Sequence, residues 1–268
     1  MTEPNIGAAI VLKHFDMLRD WFLEKDRPIE IQDFVGPDVI ANDCTDLVAA
    51  WKALLDGHEG PRGIHGPFFG LDLSNPDIEI RGIVQKRFIK GIEIAASLGA
   101  DLMVVHSPFN YWHVLNYANY AHLRPALMEA CADCLAPVLD VAQTHGVTLA
   151  LENIDDTDPA DRADLADMIN HPCLRLSVDT GHADLAHGNY GAPPVVDALA
   201  LAGERLAHVH LQDVDGHADR HWHPGDGRLC WRPVMHQLKQ SEGSPRLLLE
   251  VRDNLPRLSQ TAAWLENL

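Results

Sequence analysis

Positive charge is scarce in this sequence. Its 21 Lys and Arg face 39 Asp and Glu, which leaves a formal charge of −18 at pH 7. So negative a chain is poorly suited to nonspecific binding of nucleic acid or an anionic membrane surface. Long apolar runs are missing as well: "LMVV" and "LLLEV" are far too short to cross a bilayer. The opening "MTEPNIGAAIVLKHFD" has no basic segment leading into a long apolar one, the mark of a secretory signal, so a soluble, cytoplasmic protein is expected. Cysteine is sparse, odd in number and scattered (Cys44, Cys131, Cys134, Cys173, Cys230), which does not read as a disulfide framework. "CADC", Cys131 to Cys134, matches C-x-x-C by letter. It lies in a helical pattern with no second pair, so packing is expected of it rather than redox or zinc chemistry.

What is abundant is histidine, 16 in 268 residues, and apolar residues, 46% of the chain. Short apolar runs alternate with longer helical patterns through eight rounds: "IGAAIV", "PIEIQDF", "GIHGPF", "DLMVVHSPF", "VTLALENI", "LRLSVDTGH", "LAHVHLQDV" and "RLLLEVRD". Strands apolar nearly throughout suit a parallel sheet buried on both faces. Clear helices are "EIRGIVQKRFIKGIEIAASLGA", "RPALMEACADCLAPVLDVAQTHG" and the closing "LPRLSQTAAWLENL". In the first, Ile80, Ile83, Val84, Phe88, Ile92 and Ala95 recur at helical spacing and predict one buried stripe. Gly99 and Gly146 stand where helices should stop. Eight β–α rounds predict an α/β fold, a single (β/α)8 TIM barrel over residues 1–268. An open doubly wound sheet would more naturally carry a Gly-rich phosphate turn after its first strand, and "IVLKHFD" has none. The aromatic stretch Asn110 to Leu123 reads as a long loop, a lid or an oligomer contact.

The polar residues in or just after these strands are His65, His106, Glu152, Asp179 with His182, His210 and Glu250; Gln32 and Asp33 close the second. In a TIM barrel the C-terminal strand ends form the active-site face, so these groups should converge there. The loop after strand 7, "HADRHWHPGDG", would add Asp219, His221 and His223. One buried carboxylate could cap a helix, but six strands ending this way point to a shared site. Carboxylates mixed with imidazoles suit Zn, Mn, Co or Fe better than an all-oxygen set would. His58, His171 and His187 are read as surface or loop residues.

The motifs "HGPFFGLDL", "VVHSPF", "LALENI", "SVDTGHADL", "AHVHLQD", "DRHWHPGDG" and "LLLEVR" resemble the xylose-isomerase-like TIM-barrel superfamily, which includes sugar and sugar-phosphate isomerases and epimerases, inosose and dehydroshikimate dehydratases, and endonuclease IV. Resemblance to the epimerases implies one divalent metal (Mn, Co, Mg or Fe) on Glu152, Asp179, His210 and Glu250. Glu152 and Glu250 would move protons next to a substrate carbonyl through an enediolate, and His182 would bind or polarise the substrate. These epimerases often carry an Arg soon after the strand-7 His; here Gly216 stands there, and the nearby candidate is Arg220. Resemblance to endonuclease IV implies instead three zinc ions on nine residues: His65, His106, Glu152, Asp179, His182, His210, Asp219, His221 and Glu250. That reading, a zinc phosphodiesterase acting on abasic-site DNA, ranks second because of the negative charge and the lack of an Arg or Lys cluster after strands 1 and 2. A polynuclear site acting on a small molecule lies between the two, and a metal-dependent binding module is the non-enzymatic reading. The expectation is therefore a metal-dependent isomerase or epimerase, with a dehydratase close behind, acting on a small carbohydrate-like substrate. Neither nucleic acid nor membrane is the expected partner, and a homo-oligomer stays open by analogy.

Overall fold

The eight apolar runs become eight parallel strands: β1 (Ile6–Ile10), β2 (Ile29–Ile31), β3 (Arg62–His65), β4 (Leu102–His106), β5 (Thr148–Glu152), β6 (Leu174–Asp179), β7 (Leu206–Leu211) and β8 (Arg246–Leu249). The structure, a computed structural model, describes residues 4–268. Each strand pairs with the next, and β8 returns to β1 in the register Ala8↔Leu249, closing the barrel. A closed barrel has no free edge, so every strand interior finds backbone partners on both sides. The eight-stranded (β/α)8 barrel expected from the alternation is the observed fold.

Alternation along each strand decides which residues point into the barrel. Residues two apart share a face, and the inward face carries polar pairs at one end: Glu30 with Gln32, Ser177 with Asp179, and His208 with His210. A register shift between Leu176 and Ser177 sets Ser177 opposite His208 and Asp179 opposite His210. Without that irregularity the polar positions of β6 and β7 would be out of step. Bulges of this kind commonly re-aim side chains beside functional sites.

The outer helices follow the expected signals with one adjustment. Helix Ile78–Ser97 starts at Asp77, whose carboxylate accepts the Glu79 N–H at 2.8 Å, and is followed by Gly99 at φ 68°. Val84, Phe88, Ile92 and Ala95 of the predicted stripe are buried, but Ile80 and Ile83 are 40% and 51% exposed. The first turns of this helix stand clear of the barrel, so the apolar period runs on where there is no core to receive it. Helix Leu123–His145 ends on Gly146 in the left-handed region, and its Cys131 and Cys134 face the core among Leu127, Leu135 and Val138. Burial raises both thiol pKa values, that of Cys134 to about 11, which fits packing rather than redox chemistry. The stretch read as a loop from Asn110 folds in part: Tyr111–Asn116 is a short helix capped by the Asn110 side chain, with Tyr111 stacked on Tyr190.

The N-terminal end of the barrel is a stability face. Arg27, buried, donates to Ile6 O at 2.7 Å and to Glu266 at 2.6 Å, tying the last helix (Leu258–Glu266) to β1. His58, expected at the surface, is instead 2% exposed there, with Nε2 on Arg27 O at 2.8 Å; it fills the gap between Arg27 and Arg62. Among the described residues, no helix is long and apolar enough to cross a membrane.

Two outcomes test this account. Burial acts to raise the Glu266 carboxyl, but hydrogen bonds from Arg27, Ile6 and Lys25 hold it below its ordinary value of 4.5. Its pairing therefore stabilises the fold above that value and is lost as acid protonates it. Glu266→Gln should cost about 1–3 kcal/mol near neutrality, and the gap to wild type, read from denaturant midpoints, should close below that value. A thiol reagent should label exposed Cys230 in the native protein and reach Cys131 and Cys134 only on unfolding.

Candidate metal centre

The C-terminal ends of β3 to β8 gather their polar residues at one end of the barrel, where His65, His106, Glu152 and Glu250 line a cavity of about 650 Å³ and Asp179 and His210 are buried. Glu152 is at the middle. Its Oε1 lies 2.5 Å from His210 Nδ1, and its Oε2 lies 3.7 Å from both His65 Nε2 and His106 Nε2. Glu250 reaches the same His210 Nδ1 at 3.3 Å from β8. Asp179 accepts the His182 N–H at 2.7 Å and Gln212 Nε2 at 3.1 Å. Asp219 stands between His182, at 3.4 Å, and His221, at 2.9 Å. Four groups of ligand-type atoms result, each with its atoms within 4.8 Å of one another: Glu152–Asp179–His210–Glu250, His65–His106–Glu152, His182–Asp219–His221 and, deeper, Glu30–His208–His210. All nine residues expected from the sequence are in this constellation.

The donor chemistry fits divalent cations. Glu152, Asp179 and Glu250 are buried together, and no Lys or Arg pairs with any of them among the described residues. Burial pushes Asp179 up to about 6, with Glu152 and Glu250 adding to the shift against His182 and His210. Burial opposes charge on His210, yet Glu250, Glu30 and Glu152 pull it well above its ordinary value; Asp179 and Asp219 do the same to His182. Carboxylates gathered at this depth, balanced by imidazoles that can give up their protons to a metal, suit a bound cation. The imidazoles are also set for ligation. His65 Nδ1 faces Gly66 O at 2.9 Å, His182 Nδ1 faces Asn153 O at 2.9 Å, and His221 Nδ1 faces Glu250 O at 3.1 Å. Each leaves Nε2 toward the cluster, the usual outer support for a metal-binding histidine.

A second inward layer, of which the sequence marks only Gln32, lies beneath the first. Glu30 Oε1 is 3.0 Å from His210 Nε2, and Oε2 is 3.1 Å from His208 Nε2, close but poorly aligned for a hydrogen bond. Ser177 Oγ meets His208 Nδ1 at 2.8 Å, and Gln32 Nε2 donates to Glu250 at 2.6 Å and to Glu30 at 3.2 Å. Glu30 is fully buried and held well below the usual carboxylate range: burial works against this, but His210 and His208 outweigh it. A signal for His208 is present in "HVH", two positions from His210 on the same strand face, whereas "IEI" marks Glu30 only once the register is known.

The loop after β7 is held by two residues of "LQD". Gln212 donates to Asp219 at 2.8 Å and accepts the His221 N–H at 2.9 Å. Asp213 accepts from Gly225 N, Leu229 N and Trp231 Nε1. His221 sits at φ 51°, a left-handed conformation that the surrounding bonds impose. Two expectations are corrected. His223 does not join the cluster; it bonds Thr261 Oγ1 at 2.8 Å and Asp253 O at 3.1 Å, so it fastens the loop to the last helix. Arg220 turns outward to Asp215 and lies over Trp222, and the guanidinium on the cavity is that of Arg252.

The family description "Xylose isomerase-like TIM barrel" matches residues 29–268. The chain belongs to the xylose isomerase-like TIM-barrel family. It is 25% identical over 195 residues to the uncharacterized protein MJ1311 of Methanocaldococcus jannaschii, an alignment covering 70% of this chain and 63% of that protein. It is 24% identical over 128 residues to a fructoselysine 3-epimerase of Escherichia coli O157:H7, covering 47% of this chain and 46% of that one. The chain thus spans less than two thirds of the length of these curated relatives. Among solved structures, the TTHB071 protein of Thermus thermophilus, soaked with ZnCl2, is similar at a TM-score of 0.72 and 27% identity, covering 98% of this chain and 97% of that one.

If Glu30 fixes the ring of His210, Glu30→Gln should weaken binding of Co or Zn by about 10–100-fold in equilibrium titration, with the fold retained by circular dichroism. Unchanged affinity would leave Glu30 a packing role alone.

Proposed function

We propose that this chain is a divalent-metal-dependent isomerase or epimerase acting on a sugar-like polyhydroxy carbonyl compound. The observation that carries the proposal is the buried group Glu152–Asp179–His210–Glu250, whose Glu152 and Glu250 line a cavity sized for a small molecule. Membership in the xylose isomerase-like family and the likeness to a fructoselysine 3-epimerase support it. A divalent cation held by these four residues would polarise substrate oxygens and stabilise the negative charge of an enediolate.

The chain's own residues do the rest. Glu152, from β5, and Glu250, from β8, both reach His210 Nδ1, so both border the position of the substrate. One carboxylate takes the proton from the carbon next to the carbonyl, and the other returns a proton to the enediolate. Gln32, donating to Glu250 at 2.6 Å, orients that carboxylate. His182, its Nδ1 bonded to Asn153 O, presents Nε2 to bind or polarise a substrate oxygen. Phe68 and Phe69 wall the cavity beside His65 and His106 and keep water from the reacting carbons. A dehydratase would use the same proton abstraction and then expel a hydroxyl.

A second reading is favoured by one specific feature. The groups His65–His106–Glu152 and His182–Asp219–His221 flank the first and offer places for further cations. Filled with zinc, such a site suits phosphodiester hydrolysis.

Glu152→Gln should cut turnover of a ketose substrate by about 10²–10⁴-fold while leaving the fold unchanged, and full activity in that variant would end the proton-transfer mechanism. Chelation should abolish turnover, and Mn, Co, Mg or Fe should restore it. About one ion per chain in metal analysis supports the isomerase, and two or three Zn per chain supports the phosphodiesterase.

A further inference from the structure

Arg252 is unusual in a chain with 39 acidic residues. The other arginines place their guanidinium on a carboxylate or a backbone carbonyl, with Arg232 on an outer helix the one further exception among the described residues. Arg252 has neither. Its backbone N–H is pinned to His221 O at 3.2 Å, its Nη2 lies 3.4 Å from His221 Nε2, and its side chain lines the cavity and is exposed to it.

Lys13 lines the same cavity, makes no ion pair, and follows β1, while Arg252 follows β8. These two strands are hydrogen-bonded neighbours, so both cations rise from one arc of the rim, with His14 beside them. The acidic residues lining the cavity are Glu152, Asp219 and Glu250, all within the ligand cluster. Asp33, close to Lys13, is occupied by Leu12 N at 2.8 Å and Trp51 Nε1 at 3.0 Å. The remaining wall, with Ile10, Val35, Phe68, Phe69 and Leu255, carries no charge. The cavity is thus polarised: a ligand cluster at its base, an apolar side, and one cationic arc with no counter-ion among the described residues.

We infer that Arg252 and Lys13 form an oxyanion-binding subsite, and that the substrate is a sugar-like compound carrying a phosphate or carboxylate. This rests on the isomerase reading for the reacting end of the substrate. A guanidinium fork matches either oxyanion through paired N–H donors. In a chain of net charge −18, such local cations are needed to offset the repulsion an anionic substrate meets.

The test is binding to the metal-loaded protein by calorimetry. The probes are D-ribulose 5-phosphate, D-fructuronate and the neutral ketoses D-ribulose and D-fructose, against wild type, Arg252→Ala, Arg252→Lys and Lys13→Ala. Wild type should prefer one anionic probe over its neutral counterpart by about 10–100-fold; which probe it prefers tells phosphate from carboxylate. Arg252→Ala should erase that preference while leaving the neutral ketose affinity and the metal content unchanged, and Arg252→Lys should keep part of it. No preference in wild type, or equal loss for charged and neutral probes in Arg252→Ala, overturns the subsite. An Arg252-dependent preference without turnover of any ketose keeps the subsite and removes the isomerase. Turnover of a ketose by wild type with no preference for either anionic probe does the reverse.

Discussion

Three carboxylates buried at one end of a barrel set the terms for much of this molecule. Glu152, Asp179 and Glu250 come within 4.8 Å of one another, and among the described residues their ion pairs are with histidines and not with Lys or Arg. Like charges at that distance and depth repel strongly. The compensation comes from imidazoles around them and from the cation such a group attracts. Those imidazoles then need partners of their own, which accounts for the carbonyls behind His65, His182 and His221 and for the carboxylate of Glu30 behind His210. The polar layer beneath the site follows from burying charge above it.

Rigidity is distributed to suit that demand. The β7 loop carries Asp219 and His221 but does not depend on packing to hold them. Gln212 and Asp213, adjacent at the end of the barrel, bind the loop at several backbone and side-chain points, and His223 fastens its far side to the last helix. The opposite mouth does different work. There Arg27 and His58 pack together and Arg27 ties Glu266 to β1, and the described residues lining a hollow of about 940 Å³, Pro28, Pro61 and Leu247 among them, include no carboxylate or imidazole. Chemistry at the C-terminal face and stability at the N-terminal one is the division that parallel strands impose.

Much of this was legible in advance for a simple reason. A strand buried on both faces must be apolar, so an ionisable group at its end stands out: Glu152 after "LAL" and Asp179 after "LSV" announce themselves. Glu30 did not, because "IEI" puts its carboxylate inside the strand, where an inward position cannot be told from an outward one without the register. His223 and His221 look alike in "HWH", yet the loop path sends one to the cluster and the other to Thr261. Arg220 and Arg252 were separated by the same uncertainty: proximity along the chain favoured the first, and barrel closure brought the second to the cavity. Ile80 and Ile83 kept the period of a buried stripe beyond the point where the barrel ends.

The eight-fold alternation, the barrel and the nine candidate ligands at one end of it could be read from residue type and order, because burial and strand polarity are written there. Only the tertiary structure decided which strand faces point inward, how the β6–β7 register shift aligns Ser177 with His208 and Asp179 with His210, and which cations reach the cavity. These depend on distances between strands far apart in the chain, and no local pattern encodes them until the barrel closes.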